Sequence, residues 1–359
     1  MPDRILLGLK IVIIIFIFIL VIFWISRNTS TSPFLDNEGK MIKNSIAEEI
    51  YLSLGGVEQW VLLRGSNVNN PIFIFLHGGP GISEHALFRY YNNDLENYFL
   101  TVGWDQRGCG KSYNKNIPPE SMNIDTFVSD LHELIQYLKK RFKRDKVYLL
   151  GKSWGSILGT FYAHKYPEDL IAYIGTGQVA NVKDSERLSY EFALVEAKKR
   201  NNKKALSELS KIKFPPGKDI KDVKIERKWL TKFGGSAYGR DGYIMHWAPK
   251  MLSIKEYSWQ DIIRFVLGSK ISLKFLWSEI FNVNLFEQVL KLNVPVYFLL
   301  GRHDHQVSSK LAAEYLEKLN APKKELIWFD CSGHHPPFEE PERFNEILIS
   351  LFVGNKNLK

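Results

Sequence analysis

The sequence predicts an α/β protein built on a mostly parallel sheet with helices on both faces and a helical insertion. Three observations predict it. From about residue 42 short apolar runs alternate with segments of helical spacing, the pattern of strands joined by crossover helices. Several of these runs end in Gly-rich turns. The alternation then stops over residues 182–290 and resumes afterwards. At 359 residues, with 45% hydrophobic and 24% charged, the chain can bury a large core, and extensive disorder is excluded.

The elements follow in order. Residues 11–25 read IVIIIFIFILVIFWI, and with residues 5–9 they form a 21-residue segment. At roughly 1.5 Å per residue this would span about 30 Å, a bilayer core. The expectation is an N-terminal transmembrane anchor over residues 1–27. Lys10 would snorkel and Trp24 would sit at the interface. No small-residue cleavage site follows, which argues against a removed signal peptide. Arg4 and Lys10 before the run favour an inside N-terminus and an extracytoplasmic catalytic domain. Residues 28–41, rich in Ser, Thr and Asn, read as a flexible juxtamembrane spacer.

Residues 42–181 and 291–359 read as one α/β core. Strands are expected at Ile72–Leu76, Phe99–Trp104, Val147–Leu150, Ile171–Gly175, Val294–Leu300 and Glu325–Phe329. Helices are expected at Thr126–Phe142, Ser156–Lys165, Ser308–Leu319 and Pro341–Val353. Residues 182–290 read as a helical cap. The cap holds 21 Lys and Arg against 13 Asp and Glu, nearly all of the chain's net charge of +9. Such a face is either simply solvated or, beside a bilayer, in contact with anionic lipid headgroups. No nucleic-acid motif appears, and no nucleic-acid partner is expected. Cys109 and Cys331 suggest neither a disulfide framework nor a zinc site and read as free thiols.

The chemistry is carried by strand ends. Gly151-Lys152-Ser153-Trp154-Gly155 matches G-x-S-x-G between a strand and a helix, the setting of a nucleophile elbow. Acyl transfer needs two N–H donors for the developing oxyanion. Trp154, which follows the nucleophile, supplies one. Gly79, in His77-Gly78-Gly79-Pro80-Gly81, supplies the other, since a residue without a side chain lets substrate reach the main chain. Pro80 has no N–H, and His77 reads as a brace for the loop. A serine hydroxyl needs a histidine base and an orienting carboxylate, in the chain order Ser, acid, His. Asp304 and His334 end the two late strands and fit that order. Asp330 is the alternative acid, four residues before His334. No metal or organic cofactor is required.

HGGPG at 77–81, DQRGCGKS at 105–112, GKSWG at 151–155, GRHDHQV at 301–307 and SGHHPPFEEPERF at 332–344 together resemble the proline iminopeptidase family of α/β-hydrolases. The resemblance implies the α/β-hydrolase fold and the triad Ser153, Asp304 and His334. It also implies release of N-terminal residues from short peptides. Lys152 departs from the family's glycine at that position. The cap shows no obvious acidic signature for a substrate amine; Glu191 and Glu196 are the nearest candidates, about 140° apart round a helix. An esterase or lactonase acting on small or lipid-derived esters is the alternative activity, and a non-catalytic binding protein on the same scaffold is a third reading.

Overall fold

The computed structural model describes residues 2–25, 29–214, 216–240 and 243–354. Helix α1 (Pro2–Ile25) opens the chain. The sheet follows as a hairpin of β1 (Ile46–Leu54) and β2 (Val57–Gly65), then β3 (Ile72–Leu76), helix α2 (His85–Asn92) and β4 (Leu100–Trp104). Helix α3 (Ile124–Phe142), β5 (Val147–Lys152), α4 (Trp154–Lys165) and β6 (Leu170–Thr176) complete the first part of the core. Among the described residues six helices then interrupt the sheet: α5 (Val182–Lys199), α6 (Lys203–Leu209), α7 (Ile220–Lys232), α8 (Tyr243–Ser253), α9 (Trp259–Ile280) and α10 (Leu285–Gln288). The chain returns with β7 (Val296–Gly301), α11 (Ser309–Lys318), β8 (Lys324–Phe329), α12 (Pro336–Glu339) and α13 (Pro341–Phe352).

Among the described residues eight strands lie in the order β1-β2-β4-β3-β5-β6-β7-β8. The β1–β2 and β2–β4 pairs are antiparallel and the rest parallel. Parallel strands covered on both faces must be apolar at every position. In β3, Ile72, Ile74 and Leu76 enter one hydrophobic cluster, with α3 and α4, while Phe73 and Phe75 enter the other, with α2 and α13. The candidate motifs emerge at one edge of a sheet whose central strands are buried on both sides.

The helical insertion is joined at its base. Val182 N–H donates to Val283 C=O (3.0 Å) and Leu285 N–H to Ala180 C=O (2.7 Å), with a bridge between Asn181 and Asn284. The chain thus leaves and rejoins the core at one place.

The expected membrane anchor is corrected. Among the described residues no helix is long and apolar enough to cross a membrane. Within α1 the side chains of residues 8–21 are described, and all are exposed. The transmembrane helix in the expected fold, the single-pass membrane localisation, the extracytoplasmic placement and the lipid contact of the basic cap therefore lose their support. Arg27, part of the orientation argument, lies outside the described residues. Residues 29–41, read as a spacer, are held to the core. Arg64 donates to Thr31 Oγ1 and to Ser32 C=O (2.7 Å), and its guanidinium lies 4.7 Å from the centre of the Phe34 ring.

Candidate active site

Ser153 sits between β5 and α4 with φ 53° and ψ −121°, a left-handed backbone unfavourable to a residue with a side chain. Its N–H donates to Thr176 C=O of β6 (3.1 Å), and its C=O accepts from Ser156 N–H (2.8 Å). The tight crossing requires Gly155: a Cβ there would lie 2.2 Å from Leu76 O. Ser153, Trp154, Gly79 and Pro80 all line one cavity of about 530 Å³, roofed by cap residues including Val223, Arg227, Leu273 and Trp277.

The early loop is fixed by its neighbours. His77 is fully buried, and burial pushes its imidazole down to about 4, so the ring is neutral. Its Nε2 accepts from Gln106 N–H (3.3 Å), which leaves the proton on Nδ1. That N–H donates to Gly78 C=O (2.8 Å). The same peptide unit carries Gly79 N–H on its opposite side, so the contact sets where that donor aims. Gln106 also accepts from Trp154 Nε1–H (2.8 Å) and donates to His77 C=O (3.2 Å), tying the DQRG turn to both loops. At Gly79, φ is 117° and a Cβ would lie 2.7 Å from Gly81 N.

Asp304 and His334 meet from the ends of β7 and β8. Asp304 Oδ2 accepts from His334 Nδ1–H (2.7 Å), and both side chains are buried. The other carboxylate oxygen accepts from the N–H groups of Gln306 and Val307 (2.9 Å each). With the proton on Nδ1, Nε2 presents its lone pair. That atom is buried with no hydrogen-bond partner among the described residues. A Cβ on Gly177 would lie 2.7 Å from His334 Cε1, and Gly177 follows Thr176, whose C=O holds Ser153 N–H. The histidine loop is clamped by the EEP segment. Glu339 Oε2 accepts from Gly333 and His335 N–H (3.0 Å each), while Glu340 Oε2 accepts from Cys331 N–H (3.0 Å) and Ser332 Oγ (2.6 Å). Burial pushes the Glu339 carboxyl up to about 7. Asp330, the alternative acid, is exposed and pairs with Arg302 (2.6 Å), away from His334 Nδ1.

Glu191 and Glu196 are not brought to the cavity. Glu191 is exposed and pairs with Arg187 (2.8 Å); Glu196 pairs with Arg200 (3.1 Å). The acid that faces the cavity is Glu186, also on α5, which pairs with Arg227 of α7. Arg227 pairs in turn with Glu226. Two carboxylates share one guanidinium, leaving the buried cluster one negative charge in excess when both are ionised. Burial raises both carboxyls, and Arg227 offsets part of the rise. The signal that would have found Glu186 is phase. The buried positions of α5 include Val182, Glu186, Ser189, Tyr190, Ala193 and Ala197, a helical stripe that contains Glu186 and leaves out Glu191 and Glu196.

Comparison with known proteins agrees with this architecture. Residues 71–341 match the α/β hydrolase fold family. The chain is 36% identical over 309 residues to the Probable aminopeptidase YbaC of Bacillus subtilis (strain 168), covering 85% of this chain and 96% of that protein. It is 24% identical over 320 residues to a Proline iminopeptidase of Thermoplasma volcanium, covering 88% and 100%. Among solved structures, a proline iminopeptidase-related protein from Thermus thermophilus superposes with a TM-score of 0.61 at 20% identity, covering 86% of this chain and 98% of that one. That likeness shows the fold alone. Taken with the motifs and the sheet order, the matches identify the chain as a member of the α/β-hydrolase fold family, a proline iminopeptidase-like serine hydrolase.

Proposed function

We propose that this hydrolase is an aminopeptidase that frees the N-terminal residue of short peptides through an acyl-enzyme on Ser153. The observation that carries the reading is a single cavity lined both by the elbow serine and by a buried cap carboxylate, Glu186. In this reading the substrate ammonium lies against the Glu186–Arg227–Glu226 cluster. When both carboxylates are ionised, the one excess negative charge there is compensated by an arriving cation, and burial strengthens that attraction.

The scissile carbonyl then lies at Ser153. His334 Nε2 takes the hydroxyl proton as Oγ attacks, and Asp304 steadies the imidazolium through Nδ1–H. The N–H groups of Gly79 and Trp154 receive the oxyanion, which the N-terminal end of α4 also favours. Collapse of the intermediate breaks the C–N bond, and His334 returns its proton to the departing amine. Water, deprotonated by the same ring, releases the amino acid and restores Ser153.

Prolyl-naphthylamide with a free and with a blocked amine tests the reading. Turnover is expected to vanish on blocking. Glu186→Gln is expected to raise KM about 10-fold or more for the free amine, the loss of one charge-assisted contact. Equal turnover of the blocked compound, or faster hydrolysis of nitrophenyl butyrate unaffected by Glu186→Gln, would instead establish an esterase.

A further inference from the structure

Lys152 occupies the position where the resembling family carries glycine, one residue before the nucleophile, and its side chain is 1% exposed. A buried ammonium is costly unless paired and hydrogen-bonded. Its partner is Glu84, with Nζ 2.8 Å from Oε1. The other oxygen of the same carboxylate, Oε2, accepts the backbone N–H of Gly78 at 2.8 Å. Glu84 stands at the N-cap of α2, yet its side chain caps nothing there. The carboxylate is spent on the loop instead. The Phe338 ring centre lies 5.5 Å from Nζ, and His335 Nδ1 lies 4.0 Å from Glu84 Oε1, so the pair sits in a buried layer behind the elbow.

The contact chain runs from the elbow to the oxyanion loop. Gly78 N–H is held by Glu84, and Gly78 C=O is held by His77 Nδ1–H at 2.8 Å. Between them they fix the peptide units on both sides of Gly78, the second of which carries the N–H of Gly79. A Cβ on Gly78 would lie 3.2 Å from Ser153 Cβ, so the loop rests directly on the nucleophile's turn. We propose that the Lys152–Glu84 ion pair is a strut that sets the oxyanion loop at its catalytic distance from Ser153, making both side chains positioning residues for acyl transfer. Their value is geometric: an oxyanion hole works only if its donors are aimed before charge develops. The inference rests on Ser153 as nucleophile and Gly79 as oxyanion donor, and is indifferent to the acyl group.

Four full-length proteins decide it: wild type, Lys152→Met, Glu84→Gln and the double variant. Each is assayed with nitrophenyl butyrate and with butylboronic acid, whose adduct on Ser153 is tetrahedral and anionic. Each single variant is expected to lower kcat roughly 10- to 100-fold, somewhat less than loss of a whole oxyanion donor, with KM held within about twofold. The boronate is expected to bind more weakly by a similar factor, a change that general loosening of the fold would not tie to kcat. The double variant is expected to be no worse than the weaker single, since the two side chains act as one unit. Unchanged kcat, a kcat loss with boronate affinity intact, or a double loss equal to the product of the singles would overturn the proposal. Should a single variant fail to fold, the double variant leaves neither charge stranded and decides alone; wild-type boronate affinity there refutes the strut. Fluorophosphonate labelling separates the two readings. An unlabelled wild type removes Ser153 as nucleophile, whereas a labelled wild type with unaffected variants removes only the strut.

Discussion

At the scale of single residues, the proton relay proposed here depends on which nitrogen of His334 carries hydrogen. Asp304 can only accept, so it holds the proton on Nδ1 and leaves Nε2 basic. Asp304→Asn would offer an amide N–H to the same nitrogen and drive the proton to Nε2, which then has no lone pair to take another. A fall in kcat of about 10⁴-fold is expected, with fluorophosphonate labelling slowed in parallel and the thermal midpoint little changed. A variant retaining more than a tenth of the activity would show that the carboxylate is not what sets the tautomer. At this scale the sequence brings out Asp304 and His334, which the structure joins by a hydrogen bond. Strand-end positions and chain order singled out Ser153, Asp304 and His334 among nine histidines and many acids. Glu186 is missed because its partner Arg227 lies on another helix, 41 residues away, so that only its place in the buried stripe of α5 marks it.

At the scale of elements, the elbow is a steric fit between β5, β3 and α4. A methyl group at Gly155 would overlap Leu76 O (2.2 Å) and His77 O (2.7 Å), both backbone atoms with no side chain to swing aside. Gly155→Ala is expected to cost about 3 kcal/mol or more, at the upper end of overpacking effects, and to lower the thermal midpoint by several degrees. A folded, fully active alanine variant would mean that α4 slides freely over the sheet edge. The parallel strands were readable because burial on both faces leaves an unbroken apolar run, as in Ile72–Leu76. The β1–β2 hairpin was not. Its outer strand mixes half-buried and exposed positions, so IAEEIYLSL carries little strand signal, and the Gly55–Gly56 turn, with φ of 52° and 73°, is its clearest mark. The N-terminal apolar run was legible as a helix. Length and hydropathy alone pointed to a bilayer crossing, which the described residues do not support.

At the scale of the whole molecule, buried ionisable groups couple stability to pH. Glu339 is held by three backbone N–H groups, those of Tyr238, Gly333 and His335, yet burial outweighs them and lifts its carboxyl to about 7. The folded state therefore keeps a proton that the unfolded chain releases near pH 4.5. The sign follows: this contribution to stability is full below about pH 4.5 and is lost as pH rises through about 7. Its size is on the order of 3 kcal/mol at most. Glu339→Gln, which cannot ionise, is expected to flatten that part of the profile, so that melting curves of the two proteins differ in slope between about pH 5 and 8. Parallel profiles would show that Glu339 stays ionised throughout.

The paired Asn181 and Asn284 segments at the foot of the insertion have an evolutionary consequence. Covalently, everything between them hangs from one two-stranded neck, so helices can be lengthened, exchanged or rebuilt there without altering the strand order that carries Ser153, Asp304 and His334. The freedom has one limit: His334 N–H donates to Ser236 C=O of the insertion (2.8 Å), so any rebuilt appendage must keep that anchor.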